Sequence, residues 1–470
     1  MDAFLAVDRD RFPDLLRSVT DFAARELAAV DERPAAHPGP VPAPQPLPDA
    51  GVGADGALDR FARRWAPGFS GSAGPRYLGF VTGGATPAAV AGDWLTAAYD
   101  QNAGSDTGSS AGALERETLA WLRELFGLGT AHSGAFVTGA TVSNTVGLAV
   151  AREWLGERQG VSVSQDGVAA LGPVTVLSGA PHSSTGKALS VLGLGRACLT
   201  RVPLLPGGRE AVDVARLAEA LEALDGRPAI VVANAGTVDT VDFDDLRAIA
   251  ALKERHDFWL HVDAAFGGFA ALSPRHAHLT AGLDAADSVC VDLHKWLNVP
   301  YDAAVQFTRR QDLQVRVFHN AAPYLGLPAL PDPDFLHLTP ESSRRLRALA
   351  AWFSLTAYGR EGHRDIVERN IALAHRLGDR IAGTTHLRLL APVRLNVVCF
   401  TFAGDAPAEE LGERVAAAAR AVAASGEAFL TPTVHAGVPA LRAAFSNWRT
   451  SEADTDRVFE AVTAATAPAT

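Results

Sequence analysis

The sequence predicts an α/β fold on a mostly parallel sheet, followed by a smaller α+β domain, and two observations carry that prediction. Continuous apolar runs such as Ala229-Ile230-Val231-Val232-Ala233 suit strands buried on both faces. Between such runs lie segments of helical spacing, 212–224 and 244–255 among them, which suit the crossovers that parallel strands require. Composition agrees: 48% of the 470 residues are hydrophobic and 20% charged, enough for a large core in two or three domains and too apolar for a disordered or fibrous chain.

Taken in order, residues 10–30 read as an amphipathic helix through Phe12, Leu15, Leu16, Val19, Phe22, Ala23 and Leu27, and a Pro-rich stretch follows from His37 to about Pro48. A helix carrying Leu114, Leu119, Leu122, Leu125 and Phe126 on one face comes next. Strands are expected near 134–138, 174–178, 229–234, 258–262, 288–292 and 303–308. From about 348 a long helix runs through Asn370 and Leu377, with strand-like runs at 393–402 and 441–446 and a helix between them. The division expected is an arm and linker at 1–75, a large α/β domain at 76–347 and a small α+β domain at 348–470.

Charge narrows the partners. With 42 Lys+Arg against 53 Asp+Glu the formal net charge is −11, which offers no electrostatic footprint for nucleic acid or an anionic membrane surface. The expected partner is a small molecule. No basic n-region opens the chain and no run reaches about 18 uncharged apolar residues, so a cytoplasmic location is expected. Cys198, Cys290 and Cys399 form no C-x-x-C pair and read as buried thiols, without a metal. The three lysines, Lys187, Lys253 and Lys295, leave few candidates for amine chemistry; the first two are expected to reach solvent.

Ligands of open α/β sheets bind at the carboxyl ends of the strands, so the residues just after each expected strand are read together. Thr138-Gly139-Ala140-Thr141-Val142-Ser143-Asn144 leads from a strand into a helix, where free N–H groups suit a phosphate, although Thr141 or Ser143 equally suits an ordinary N-cap. His182 follows the next strand and suits ring stacking or proton transfer, or a plain structural role. Asp263 ends the strand Phe258–Val262, where it suits a protonated heterocyclic nitrogen or a turn cap. Lys295 stands just past Asp292 at the edge of a buried strand, and lysine is the side chain that condenses with carbonyls. An anion cradle, a ring stacker, a carboxylate and an amine at one sheet edge are what pyridoxal phosphate needs.

These residues resemble the pyridoxal-phosphate-dependent group II amino acid decarboxylases, the family of aromatic-L-amino-acid, tyrosine, glutamate and diaminobutyrate decarboxylases. The resemblance runs from about Pro75 to Asp456 and is densest in His261-Val262-Asp263-Ala264-Ala265 and His294-Lys295-Trp296. It implies the fold type I (aspartate aminotransferase-like) architecture of pyridoxal-phosphate enzymes and the cofactor pyridoxal 5'-phosphate. It further implies that Lys295 carries the cofactor, Asp263 holds its ring nitrogen, and His182 and Ala265 cover the two ring faces. Ala140, Thr141 and Val142, with Asp292 and His294, correspond to the phosphate site; some branches carry an amide or hydroxyl where this chain has Asp292.

In Tyr77-Leu78-Gly79-Phe80-Val81-Thr82, similar to the family's substrate-binding strand, Phe80 corresponds to the side-chain pocket and Thr82 to the substrate carboxylate. Tyr324, in Ala322-Pro323-Tyr324-Leu325, matches the loop tyrosine that returns a proton after decarboxylation and reaches a neighbouring subunit, and the 320–340 run matches a mobile catalytic loop. Aldehyde-synthase relatives tend to carry Phe at that position. Ser446-Asn447-Trp448-Arg449-Thr450 is read as strand-end packing. Val238 stands where aromatic-specific members often have threonine.

The expected activity is decarboxylation of an L-amino acid, aromatic in the first instance, to the amine and carbon dioxide by a homodimer with shared sites. Acidic substrates rank lowest, because the sequence singles out no arginine as their clamp. Oxidative deamination or aldehyde synthesis, transamination and aldol-type cleavage are open to the same constellation, because bond orientation selects among them. A catalytically silent scaffold subunit is the remaining alternative.

Overall fold

The computed structural model describes residues 1–36, 41–105, 108–320, 328 and 330–467. Among the described residues the larger sheet holds β1 (Ser133–Val137), β2 (Val176–Ser178), β3 (Leu199–Arg201), β4 (Ala229–Asn234), β5 (Phe258–Asp263), β6 (Ser288–Asp292) and β7 (Ala304–Thr308). Their spatial order is β1-β7-β6-β5-β4-β2-β3. All run parallel except β7, which is antiparallel to both neighbours. The reason is chain length: only residues 293–303 join β6 to β7, too few for a crossover. Every residue of β4 to β7 is buried, which is why these strands read as continuous apolar runs.

The smaller sheet is antiparallel, with β8 (Leu387–Leu389), β9 (Val397–Phe402), β10 (Thr431–His435) and β11 (Val438–Ala444) in the order β10-β11-β9-β8. Its core joins Leu78, Phe400, Phe445 and Val458 with the far half of the helix Ala348–Ala382, which kinks at Gly359, where φ is 58°.

Several elements depart from the expectations. β2 begins at Val176 and β9 at Val397, and β11 starts and ends earlier than the run 441–446. β3, β8 and β10 were not expected: Leu199-Thr200-Arg201 exposes two of its three residues, and Pro432 interrupts β10, so neither carries an apolar run. The helices Pro87–Tyr99 and Glu452–Thr466 were also missed, although Thr86 and Ser451 cap them with side-chain hydrogen bonds. The segment 77–82 is no strand; it is irregular, with one bridge from Tyr77 to Phe429. Lys253 does not reach freely into solvent: it pairs with Asp287 and lies 5.8 Å from the Phe258 ring centroid.

One buried ion pair ties the helix Ala111–Leu125 to β1. Arg344 and Glu115 are both fully buried and bidentate, and Arg344 also donates to the carbonyls of Ala103 and Phe136 while Glu115 accepts the Phe136 N–H. Breaking such a pair strands a charge inside the protein. Glu115→Ala is therefore expected to cost about 3–5 kcal/mol, read as a lower midpoint in denaturant unfolding.

Candidate functional site

Because β2, β4, β5 and β6 run parallel, their carboxyl ends open on one edge, and register places Asp263 beside Asn234 of β4 and Cys290 of β6. A cavity of about 490 Å³ lies there, lined by Ala140, His182, Asp263, Ala265, His294 and Lys295 together with Phe80 and Thr82. Residues spread over more than 200 positions of sequence thus share one wall. Tyr324 lies outside the described residues. Thr141 and Val142 occupy the first turn of the helix Ala140–Gln159 without lining the cavity, and Val142 packs on the cluster of Val137, Val146 and Ala304.

Lys295 sits on a one-turn helix, Leu293–Trp296, whose flanks are fixed by burial of Leu293 and Trp296; the Trp296 indole donates to Asn370 Oδ1 at 2.8 Å. The Lys295 Nζ is 4.0 Å from Asp292 Oδ2 and 5.5 Å from the Phe266 ring centroid. The segment after Thr82 passes so close that a Cβ on Gly83 would lie 1.9 Å from the Lys295 carbonyl oxygen, so only glycine fits there.

Asp263 accepts hydrogen bonds from Asn144 Nδ2 at 2.8 Å and from the Ala265 N–H at 3.1 Å. His182 caps the helix Ser183–Val191 through Nδ1, which accepts from the Ser184 N–H. Its surface opens on the cavity, yet loss of hydration lowers its pKa, with Asp263 opposing and Lys295 and Arg442 adding to the shift. The ring is therefore neutral near pH 7.

One contact bears on the turn expected to hold a phosphate. The Ala140 N–H, the donor a phosphate would meet first, is already taken by Asp292 Oδ2 at 3.1 Å. Asp292 Oδ1 and His294 Nδ1 approach to 2.9 Å without the alignment of a hydrogen bond, and each is buried with no other partner. The His294 ring meets Tyr301 at 4.2 Å between centroids.

Arg442 is a member of the site that sequence reasoning missed. It lies in β11, donates Nε to the Val238 carbonyl and a terminal nitrogen to Gly79 O at 3.0 Å, and leaves its other terminal nitrogen buried without a partner at the cavity. The available signal was a lone arginine inside the apolar run Val438–Phe445. Thr82 Oγ1 is likewise buried and unpartnered. Asn447 and Trp448 bind the carbonyls of Ala73, Gly74 and Ala85, fixing the segment before the cavity, and neither lines it.

Burial also sets a pH window. His261 and His363 are pushed down to about 4 and His132 is lowered, each chiefly by desolvation. Between the ordinary value of 6.5 and about 4 the unfolded chain binds protons that the native state refuses. Stability is therefore full above that window and falls as pH drops through it, which denaturation midpoints at pH 7 and pH 5 will measure.

Residues 48–403 match the family model described as the pyridoxal-dependent decarboxylase conserved domain. The chain belongs to that family. Its members are pyridoxal-phosphate-dependent carboxy-lyases acting on amino acids. The aromatic-L-amino-acid decarboxylase of Bacillus atrophaeus is 28% identical over 70% of this chain and 67% of its own length. The 3,4-dihydroxyphenylacetaldehyde synthase of Drosophila melanogaster is 35% identical over 43% of this chain and 41% of its own length, so that match spans less than half of the relative. The fold is that of Oryza sativa TDC, solved with PLP and tryptamine: the TM-score is 0.89 at 24% identity, covering 97% of this chain and 98% of that one.

The residues present fit the family's cofactor. A primary amine and a carboxylate come from residues lining the same cavity, and Thr82, His294 and Arg442, which also line it, each hold a buried polar atom without a hydrogen-bond partner, as a polar, phosphorylated guest requires. Among the described residues no helix is long and apolar enough to cross a membrane.

Proposed function

We propose that this decarboxylase releases carbon dioxide from an L-amino acid with an aromatic side chain, yielding the amine. The observation that carries the reading is the junction of Lys295, Asp263, His182 and Arg442 on one cavity whose remaining wall includes Tyr77, Phe80, Phe266 and Tyr301. Aromatic rings suit an aromatic guest through edge and offset contacts. Phe80 and Tyr77 are themselves held by Phe429, at 6.1 and 4.7 Å between centroids.

In this reading Lys295 would hold the cofactor, Asp263 would keep its ring nitrogen protonated, and His182 and Ala265 would lie against its ring. His294 and the Ala140–Val142 turn would hold the phosphate, for which the Ala140 N–H, now bonded to Asp292, would have to be free. When bound, pyridoxal phosphate supplies the electron sink that accepts the charge left by departing carbon dioxide. Arg442 and Thr82 hold the substrate carboxylate, and Tyr324, with His182 in support, delivers the proton to Cα.

Arg442→Gln is expected to raise KM by about 10–100-fold, the equivalent of one charge-assisted hydrogen bond of about 1.5–3 kcal/mol, in steady-state assays.

The functional unit is a homodimer. None of the residues of the arm helices Ala3–Asp10, Phe12–Ala28 and Gly53–Arg64 is buried, and Phe4, Leu5, Phe12, Leu16 and Val19 are exposed, an apolar face that a second copy would cover.

The test is a panel of L-amino acids with carbon dioxide, amine, ammonia and peroxide measured together. Amine equimolar with carbon dioxide from an aromatic substrate supports the proposal. Ammonia with peroxide would instead place the protein with the aldehyde synthases, which the identity to the Drosophila melanogaster enzyme keeps as the second reading.

A further inference from the structure

Beneath the cavity runs a chain of hydrogen bonds whose direction can be worked out from its ends. Trp259 Nε1 donates to Ser288 Oγ at 2.9 Å, and Ser288 Oγ lies 2.8 Å from His261 Nδ1. His261 Nε2 is 2.9 Å from Asn144 Oδ1, and Asn144 Nδ2 donates to Asp263 Oδ2 at 2.8 Å and to Ser184 Oγ at 3.1 Å. Ser184 Oγ in turn lies 2.8 Å from His182 Nδ1. Trp259, Ser288, His261, Asn144 and Ser184 are all buried.

An indole N–H only donates and an ionised carboxylate only accepts. Asp263 therefore orients the Asn144 amide with its NH₂ inward, which leaves Oδ1 to accept from His261. His261 must carry its hydrogen on Nε2. Desolvation keeps that ring neutral, so Nδ1 accepts the Ser288 hydroxyl proton, while Ser288 Oγ takes the indole N–H. On the other branch His182 Nδ1 already accepts the Ser184 N–H at 3.2 Å, so the hydrogen of His182 is on Nε2. A flipped amide would set a carbonyl against the Asp263 carboxylate and an NH₂ against the His261 N–H.

The helix is shaped around this contact. One turn beyond Asn144 stands Gly147, where a Cβ would lie 2.7 Å from His261 Cε1 and 2.8 Å from Nδ1. The missing side chain is what lets the imidazole lie against the helix face that carries Asn144.

We infer that Asn144 is a positioning residue which, through one amide, sets the rotamer of Asp263 and turns the Ser184 hydroxyl proton toward His182 Nδ1, adding to the Ser184 N–H that already fixes the ring's tautomer, and that His261, backed by Ser288 and Trp259, holds the amide in the only orientation that serves both. The inference rests on the proposed pyridoxal phosphate site but concerns this chain's own hydrogen bonds. Neither Asn144 nor His261 touches the cofactor in this account; they act through Asp263 and His182.

The experiment compares wild type with Asn144→Leu, His261→Leu and His261→Gln. Glutamine can donate to Asn144 and accept from Ser288, whereas leucine only fills space. In 15N NMR of the protein freed of cofactor, His182 is expected as the Nε2–H tautomer in wild type, with its Nδ1 resonance shifted in Asn144→Leu and His261→Leu, where the amide no longer holds Ser184 Oγ against that nitrogen. In cofactor titrations followed by absorbance, the two leucine variants are expected to weaken pyridoxal phosphate binding about 10–100-fold, the range in which outer partners act on the groups they orient. They should lower kcat with little change in KM, and His261→Gln should recover toward wild type in every readout. If Asn144→Leu does not fold, the His261 pair carries the test alone.

A wild-type His182 with its hydrogen on Nδ1 overturns the inference, as does His261→Gln behaving like His261→Leu. A wild type that binds no pyridoxal phosphate defeats the functional reading instead, and the NMR result still decides the network.

Discussion

Lys295→Ala leaves the purified protein without the cofactor's absorbance at the edge of the visible and lowers the decarboxylation rate by about 10⁴-fold or more, the scale of losing an essential covalent group. The size of the effect follows from the amines available. Of the three lysines, Lys253 is engaged by Asp287 and Lys187 is exposed on the helix Ser183–Val191, while Lys295 alone lines the cavity. The substitution removes a largely buried stem at the cavity wall, but Leu293 and Trp296 anchor the turn on either side. Circular dichroism and the unfolding midpoint should therefore stay near wild type. A variant that keeps both the absorbance band and the rate would show that another group holds the cofactor.

Asp263→Asn comes next in size. Asparagine retains the shape but keeps one accepting oxygen where the carboxylate has two, so it can accept from the Ala265 N–H or from Asn144 but not from both, and the charge is lost. A preorganised charge facing a developing charge in a dehydrated site is worth about 10²–10³-fold in kcat, and that loss is expected here with pyridoxal phosphate still bound. Asp263→Ala should be worse, because the Asn144 amide then has no carboxylate to orient it. Stopped-flow and steady-state rates on the substrate found in the panel assay read both variants. An Asp263→Asn enzyme within about twofold of wild type would remove the electrostatic role assigned to the carboxylate.

The parts of the site legible in the sequence were those that stand directly after an apolar run. Asp263 and Lys295 were found because β5 and β6 are buried on both faces and end abruptly in polar residues, and His182 because a short strand stops just before it. The turn at Ala140 was legible, but its contact with Asp292 was not: the Ala140 N–H meets that carboxylate because of how β6 lies against the helix Ala140–Gln159. Arg442 stood out only as a lone arginine in an apolar run, and its role was hidden because its partners Gly79 and Val238 lie more than 200 residues away in the chain.

What the sequence by itself determined is the alternation of buried strands and crossover helices and the residue types waiting at the strand ends. Those are local properties, fixed by the periodicity of apolar side chains and by what can follow a fully buried strand. Only the tertiary structure decided that β7 turns back antiparallel, that Arg442 arrives at the cavity from the smaller sheet, and that Asn144, His261 and Ser288 form one directed chain beneath Asp263. The physical reason is that a hydrogen bond's worth depends on burial and alignment between groups distant in sequence, and neither exists until the sheets and helices have packed.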